Sequence, residues 1–355
     1  MKTLNRSLSM LLLIVAAFVC QSFTLEPTFD FNYENDAKAE KYASREFNGN
    51  GNTQINVSNS HGNIKVVPWT ENKVKIDVFV KYEQSVSNKK DYAQKSFSIN
   101  MSQKDNIVSV STNHRTRRIK HTINYVIYTP STASITANNS YGDIALGNLN
   151  GHISINLEYG DLFAEKLGYG SGQKANKIKI AYGDAVIKEA AWLNASVEYG
   201  SFAMQSAYAL GITGSYSDFK IDNLRFANVA LAYSDIKIGT INSIKGKISN
   251  GDFKTDRIKD NMVLSLNYTD IIVYSIDKNF TSLDLNTSYS NGKLTFDNDA
   301  SFNINASAQY SSFKLYNMSG GAQTFEKSFS KSVGTSPSKK VRISSQYGDW
   351  TLRKN

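Results

Sequence analysis

One short pattern recurs along most of this 355-residue chain and limits what the chain can fold into. It reads Tyr, then Gly, Ser or Thr, then Asp, Asn or Ser, then an apolar residue. Copies stand at Tyr141-Gly142-Asp143-Ile144, Tyr159-Gly160-Asp161-Leu162, Tyr182-Gly183-Asp184-Ala185, Tyr199-Gly200-Ser201-Phe202, Tyr216-Ser217-Asp218-Phe219 and Tyr233-Ser234-Asp235-Ile236. They continue at Asn250-Gly251-Asp252-Phe253, Tyr268-Thr269-Asp270-Ile271, Tyr310-Ser311-Ser312-Phe313 and Tyr347-Gly348-Asp349-Trp350. Tyr289-Ser290-Asn291 is less regular, with Gly292 at the apolar position, and His61-Gly62-Asn63-Ile64 is a distant relative. From Tyr141 to Tyr310 the copies are 17 to 23 residues apart. A fixed period of this kind marks a repeat architecture.

Between the copies apolar residues alternate with polar ones, as in Ile153-x-Ile155-x-Leu157, Leu264-x-Leu266 and Leu283-x-Leu285. Period two is the signature of strands with one buried face. Two short strands cannot bury that face alone, so neighbouring copies must stack. A coil of this length is too short for a propeller blade, which needs about 40 residues. The expected fold is therefore all-β: a right-handed parallel β-solenoid of 17–23-residue coils over residues 136–355. In each coil Gly or Ser after Tyr suits a corner with positive φ or close backbone approach, and Asp suits capping of its own turn.

Residues 46–135 are patterned differently. Thr53-x-Ile55-x-Val57, Val74-x-Ile76-x-Val78 and Val108-x-Val110 alternate between polar turns, and Glu83 to Lys95 could hold a short helix. This region is expected to be an antiparallel β layer capping the first coil, because an open solenoid end exposes unpaired strand edges. At the other end Gln323 to Lys340 reads as a Ser/Lys-rich loop, with Val341 to Leu352 as the last strand of the stack.

Residues 1–22 read as a secretory signal peptide. Lys2 and Arg6 precede the apolar run Met10 to Val19, and Cys20 and Ser22 suit cleavage after Ser22. Lipidation at Cys20 is the alternative, although Val19 before it is bulky. No second apolar stretch of membrane-spanning length follows. Export makes nucleic acid an unexpected partner. The net charge of +9 instead suits acidic glycans or an anionic envelope surface.

The apolar strand ending at Ile127-Tyr128-Thr129-Pro130, followed by Ile135 and the corner Ser140-Tyr141-Gly142-Asp143-Ile144, resembles the bacterial putative-adhesin β-solenoid family. That family is related to the head-GIN and auto-transporter adhesin domains. The resemblance covers residues 46–355 and implies an exported, adhesin-like protein of the cell envelope, with no catalytic residues to carry over. Tyr stands here where that family usually has Asn or another small polar residue before Gly.

Several residue groups are candidates for ligand contact. Stacking places Tyr199, Tyr216, Tyr233 and Tyr268 in one ladder, either as edge packing or as a strip on which sugar faces could rest. Asp218 and Asp235 form part of an acidic column, with Lys220 and Lys237 two residues on and on the same face. Stacked carboxylates repel, so pairing with this Lys column and turn capping are the expected remedies, rather than a metal. The run from His114 to His121 supplies Arg115, Arg117, Arg118 and Lys120 as an anion patch or a solvated loop. No catalytic, metal-ligating or cofactor-binding set is expected, since the acids are spread one per coil and no nucleotide or nucleophile motif occurs. The expected role is a non-catalytic interaction module whose partner is a glycan or an envelope protein. A β-helix polysaccharide lyase or hydrolase, and a structural or sensory envelope protein, are the alternatives.

Overall fold

A computed structural model describes residues 38–169, 174–318 and 321–355. The expected signal peptide, 1–22, lies outside the described residues. The chain is all-β, with one helix, Lys89–Ser96, among the described residues. Asn88 caps that helix by accepting from the Asp91 amide, and it falls in the segment where a helix was expected.

The repeat forms two-strand rungs in parallel register. Strand Ile153–Glu158 lies between Ser134–Ser140 and Asn176–Ala181, pairing Ile155 with Ala137 on one side and with Ile178 on the other. Beyond the corner, Leu162–Leu167 lies between Ile144–Leu149 and Ala185–Glu198. From Ala185 to Asn267 the strand after one corner runs unbroken into the strand before the next, as in Ser201–Ser215 and Asp218–Ala232. Alternation places Ile155, Ile178, Ile212 and Val229 inward, all buried, in one shared core. Parallel stacking repeats at about 4.8 Å, so every inward residue packs on the equivalent residue of the next rung.

Every corner has the same backbone. His61, Asn250 and ten tyrosines occupy the left-handed region, with φ between 49° and 58°. Of the two roles expected for the following Gly or Ser, the positive φ falls to the Tyr position instead, and close approach is the one the Gly serves. A Cβ on Gly160, Gly183 or Gly200 would stand 1.9–2.2 Å from the carbonyl oxygen of the preceding rung.

The region 46–135, expected to be antiparallel, is mixed. Gln54–Ser60 and Ile64–Trp69 form a rung around the His61 corner, parallel both to Ile107–His114 and His121–Pro130 and to Ser134–Ser140 and Ile144–Leu149. Antiparallel pairing is confined to Ala39–Asn48 with Lys73–Tyr82, Lys73–Tyr82 with His121–Pro130, and Phe97–Lys104 with Ile107–His114. A rung early in sequence therefore sits between two later ones.

The C-terminus repeats this arrangement. Lys339–Lys354 does not add to the end of the stack. It inserts between the Ser282–Ser288 and Gly292–Phe296 rung and the strand Phe302–Tyr316, parallel to both. Part of the expected loop forms strands Gln323–Phe325 and Phe329–Val333, which pair antiparallel with Phe302–Tyr316. The insertion explains Gly292: a Cβ there would meet the Trp350 ring at 2.1 Å, so the missing side chain of one rung makes room for the indole of the next. Trp350 is fully buried, and its indole N–H donates to Ser345 Oγ at 3.0 Å.

Candidate functional site

Because the corners are identical, their side chains form ladders along one edge. Tyr141, Tyr159, Tyr182, Tyr199, Tyr216 and Tyr233 stack in sequence order with centroids 4.9–5.1 Å apart and planes within 6°. Beyond Asn250 the order is Tyr268, Tyr289, Tyr347, Tyr310, at 4.8–4.9 Å and within 7°, because the terminal strand is inserted. Of the four tyrosines expected in one ladder, Tyr199, Tyr216 and Tyr233 share the first stack, and Tyr268 opens the second beyond Asn250. Their rings are about half exposed: 49% for Tyr199, 53% for Tyr216, and 55% for both Tyr233 and Tyr268. Since parallel stacking covers the ring faces, the exposed part is the hydroxyl edge. A sugar cannot lie flat on the body of this ladder.

A left-handed conformation costs a non-glycine residue about 1–2 kcal/mol, and a stacked aromatic pair returns about 0.5–1.5 kcal/mol. The two nearly cancel, so tyrosine holds this position with little net gain over asparagine, which tolerates the conformation. What tyrosine adds is a continuous exposed strip.

The acidic column lies next to that strip. Asp218 pairs in register with Asp235, and Lys220 with Lys237; all four are exposed. The expected Asp–Lys ion pairing occurs at Asp252 and Lys254, 2.8 Å apart, but not at Lys220 or Lys237, which make no ion pair among the described residues. Nor do the carboxylates cap their own turns. Asp143 Oδ1 accepts the Asp161 amide, Asp161 the Asp184 amide, and Asp184 the Ser201 amide, at 2.8–2.9 Å; Asp235 accepts the Asp252 amide at 2.7 Å. Each of these four acids thus ties its rung to the next. Burial raises the Asp161 carboxyl above its ordinary range, and the neighbouring carboxylates of Asp143 and Asp184 add to this.

The anion-patch residues Arg115, Arg117, Arg118 and Lys120 occupy the enlarged corner between Ile107–His114 and His121–Pro130. Arg115, Arg117 and Arg118 are exposed, while Lys120 is half-buried and donates to Ser85 Oγ at 3.1 Å. Arg115 donates to the Gln94 carbonyl at 2.9 Å. This corner continues the ladder, which sequence reasoning missed. His61 stacks on Tyr141 at 4.9 Å, His114 meets His61 edge-on at 5.5 Å, and His121 Nε2 lies 3.2 Å from His114 Nδ1. Tyr92 Oη lies 3.2 Å from His121 Nδ1. Burial lowers the His121 pKa to about 4, with His114 and His61 adding to the effect. The available signal was the Tyr-phase position of His61 and the two histidines flanking the basic run.

Two further features were not legible. Trp192, Tyr208 and Phe226 are exposed, and the Arg225 guanidinium lies 5.1 Å from the Tyr208 ring and 5.4 Å from that of Phe226. A trough of about 550 Å³ on the outer face of the strands before the corner is lined by Asn156, Lys179, Asn194, Thr213 and Asn228 among others. These side chains offer amide, hydroxyl and ammonium groups without a carboxylate.

No protein-family model and no curated protein matches the sequence. Among solved structures, the chain is similar to a putative adhesin from Parabacteroides merdae, at 11% identity over 71% of this chain and 93% of that one, with a TM-score of 0.34. It is also similar to a putative adhesin from Bacteroides fragilis, at 14% identity over 90% and 98%, TM-score 0.28. A putative adhesin from Parabacteroides distasonis matches at 11% over 90% and 98%, TM-score 0.34. These names agree with the family that the corner motif resembles; at such identities and TM-scores the likeness carries nothing further.

Proposed function

We propose that the chain is a non-catalytic, exported, adhesin-like module of the bacterial cell envelope that binds glycan along its laddered edge. It is read as a right-handed solenoid, capped at its N-terminal end by the antiparallel strands Ala39–Asn48, Lys73–Tyr82 and Phe97–Lys104. The observation that carries the reading is the half-exposed tyrosine strip, flanked by acidic and basic columns and continued by the His and Arg corner. A surface that repeats every rung suits a ligand that is itself repetitive, and aromatic edges with amides, hydroxyls and charges are the groups that recognise polyols. The acids support binding over hydrolysis. Those whose bonds are described above are engaged by backbone amides of adjacent rungs, whereas paired carboxylates in a glycosidase are free to exchange protons. Screening the purified protein on a glycan array, with turnover assayed on every glycan retained, tests the proposal. Retention without turnover is the expected result. Depolymerisation of a retained glycan would replace binding by catalysis, and retention of none would remove the glycan.

A further inference from the structure

The tyrosine ladder has one internal break. Asn250 holds a ladder position, with the same left-handed backbone as its neighbours at φ 56°. Its rung lies between theirs: the Tyr233 amide donates to the Ser249 carbonyl at 2.9 Å, and the Thr269 hydroxyl donates to the Ile248 carbonyl at 3.2 Å. Tyr233 and Tyr268 do not lean in to close the space. Tyr233 stays parallel to Tyr216 within 4°, Tyr268 stays parallel to Tyr289 within 6°, and the two make no ring contact with each other. Two rung spacings separate them, about 9.6 Å. One ring inserted midway would lie about 4.8 Å from each, the spacing at which the ladder's own rings pack.

We propose that this break is a binding slot for a single pyranose ring, sandwiched between the facing rings of Tyr233 and Tyr268. At 55% each they are little more exposed than the doubly stacked Tyr216 at 53%, so the sugar enters as the Asn250 side chain between them swings out. The inference rests on the glycan reading above and gives it a location. Elsewhere within the ladder the ring faces cover one another, so a sugar's C–H face finds two aromatic walls only here. The outer face of Tyr310, 74% exposed at the end of the stack, is one-sided. The floor of the slot favours a sugar over an aromatic side chain. Asn250 is exposed and shorter than Tyr, and its amide supplies a donor and an acceptor for the hydroxyl rim. Asp252 and Lys254, paired at 2.8 Å, stand on the adjoining strand to extend that polar rim. A flat hydrocarbon ring would fill the walls and leave these groups unused.

The test fills the slot without opening the fold. The protein is titrated calorimetrically with cellohexaose, maltohexaose and chitohexaose, beside the variants Asn250→Tyr, Tyr233→Ala and Tyr159→Ala, each checked for folding by circular dichroism. At least one saccharide is expected to bind the unchanged chain. Asn250→Tyr, which places the chain's own ring in the gap, and Tyr233→Ala, which removes a wall, should each weaken it at least tenfold. Tyr159→Ala, remote in the same ladder, should change it less than twofold. Equal binding by Asn250→Tyr overturns the slot and leaves glycan binding standing; no saccharide bound by any form removes both. If p-cresol binds, is lost in Asn250→Tyr, and no saccharide binds, the slot belongs to an aromatic side chain and the sugar assignment fails.

Discussion

Replacing Tyr216 by Asn and, separately, by Ala divides the two energies that each corner combines. Tyr216 stacks on Tyr199 at 5.1 Å and on Tyr233 at 5.0 Å, so either substitution removes two contacts worth about 0.5–1.5 kcal/mol each. The backbone at φ 53° costs Tyr and Ala alike about 1–2 kcal/mol, whereas Asn adopts this region with little penalty. Tyr216→Ala should therefore lose about 1–3 kcal/mol, and Tyr216→Asn about 1 kcal/mol less than that. The reciprocal change, Asn250→Tyr, gains two stacks against one conformational cost, a net effect between a loss of about 1 and a gain of about 2 kcal/mol. Urea denaturation followed by far-ultraviolet circular dichroism reads all three, fitted with a nearest-neighbour rather than a two-state scheme because the rungs form an array. The reasoning is refuted if Ala and Asn at position 216 are equally stable, or if Asn250→Tyr destabilises by more than about 1 kcal/mol.

Gly183→Ala should cost about 3 kcal/mol and depress soluble yield, since its Cβ would meet the Gly160 carbonyl oxygen at 1.9 Å; a thermal midpoint within 1 °C of the unchanged chain would contradict this. His121 has a folded-state pKa near 4 against 6.5 unfolded, so the unfolded chain takes up the proton first. Its contribution is full at neutral pH and is lost as pH falls from about 6.5 to about 4, by at most about 3 kcal/mol. His121→Gln should flatten the urea midpoint across that window. Arg257 bridges three rungs, reaching Asp277 at 2.7 Å and Asp297 at 2.9 Å and holding the Asp277 carboxyl below its ordinary range. Arg257→Met should cost about 1 kcal/mol at pH 7, given the partial exposure, and less once the carboxylates protonate below about pH 4; a pH-independent loss would point to packing instead.

What the sequence by itself determined is everything that repeats. Strand alternation, the Tyr–Gly–Asp corner and the all-β class follow from periods of 2 and about 17 residues, because each rung satisfies the same local rule. The ladder of Tyr199, Tyr216, Tyr233 and Tyr268 was legible for the same reason. Which rung neighbours which was not. Every rung offers the same row of amides and carbonyls, so any in-phase copy can pair with any other, and chain order is only one candidate. The tertiary structure decided that Gln54–Trp69 sits between later strands and that Lys339–Lys354 enters beside Gly292. Shape settles the latter contact, since the Trp350 indole fits only where a neighbouring side chain is missing. Exposure of the tyrosine edges, the inter-rung reach of the carboxylates and the gathering of His61, His114 and His121 depend likewise on contacts between residues far apart in the chain, about which a local period carries no information.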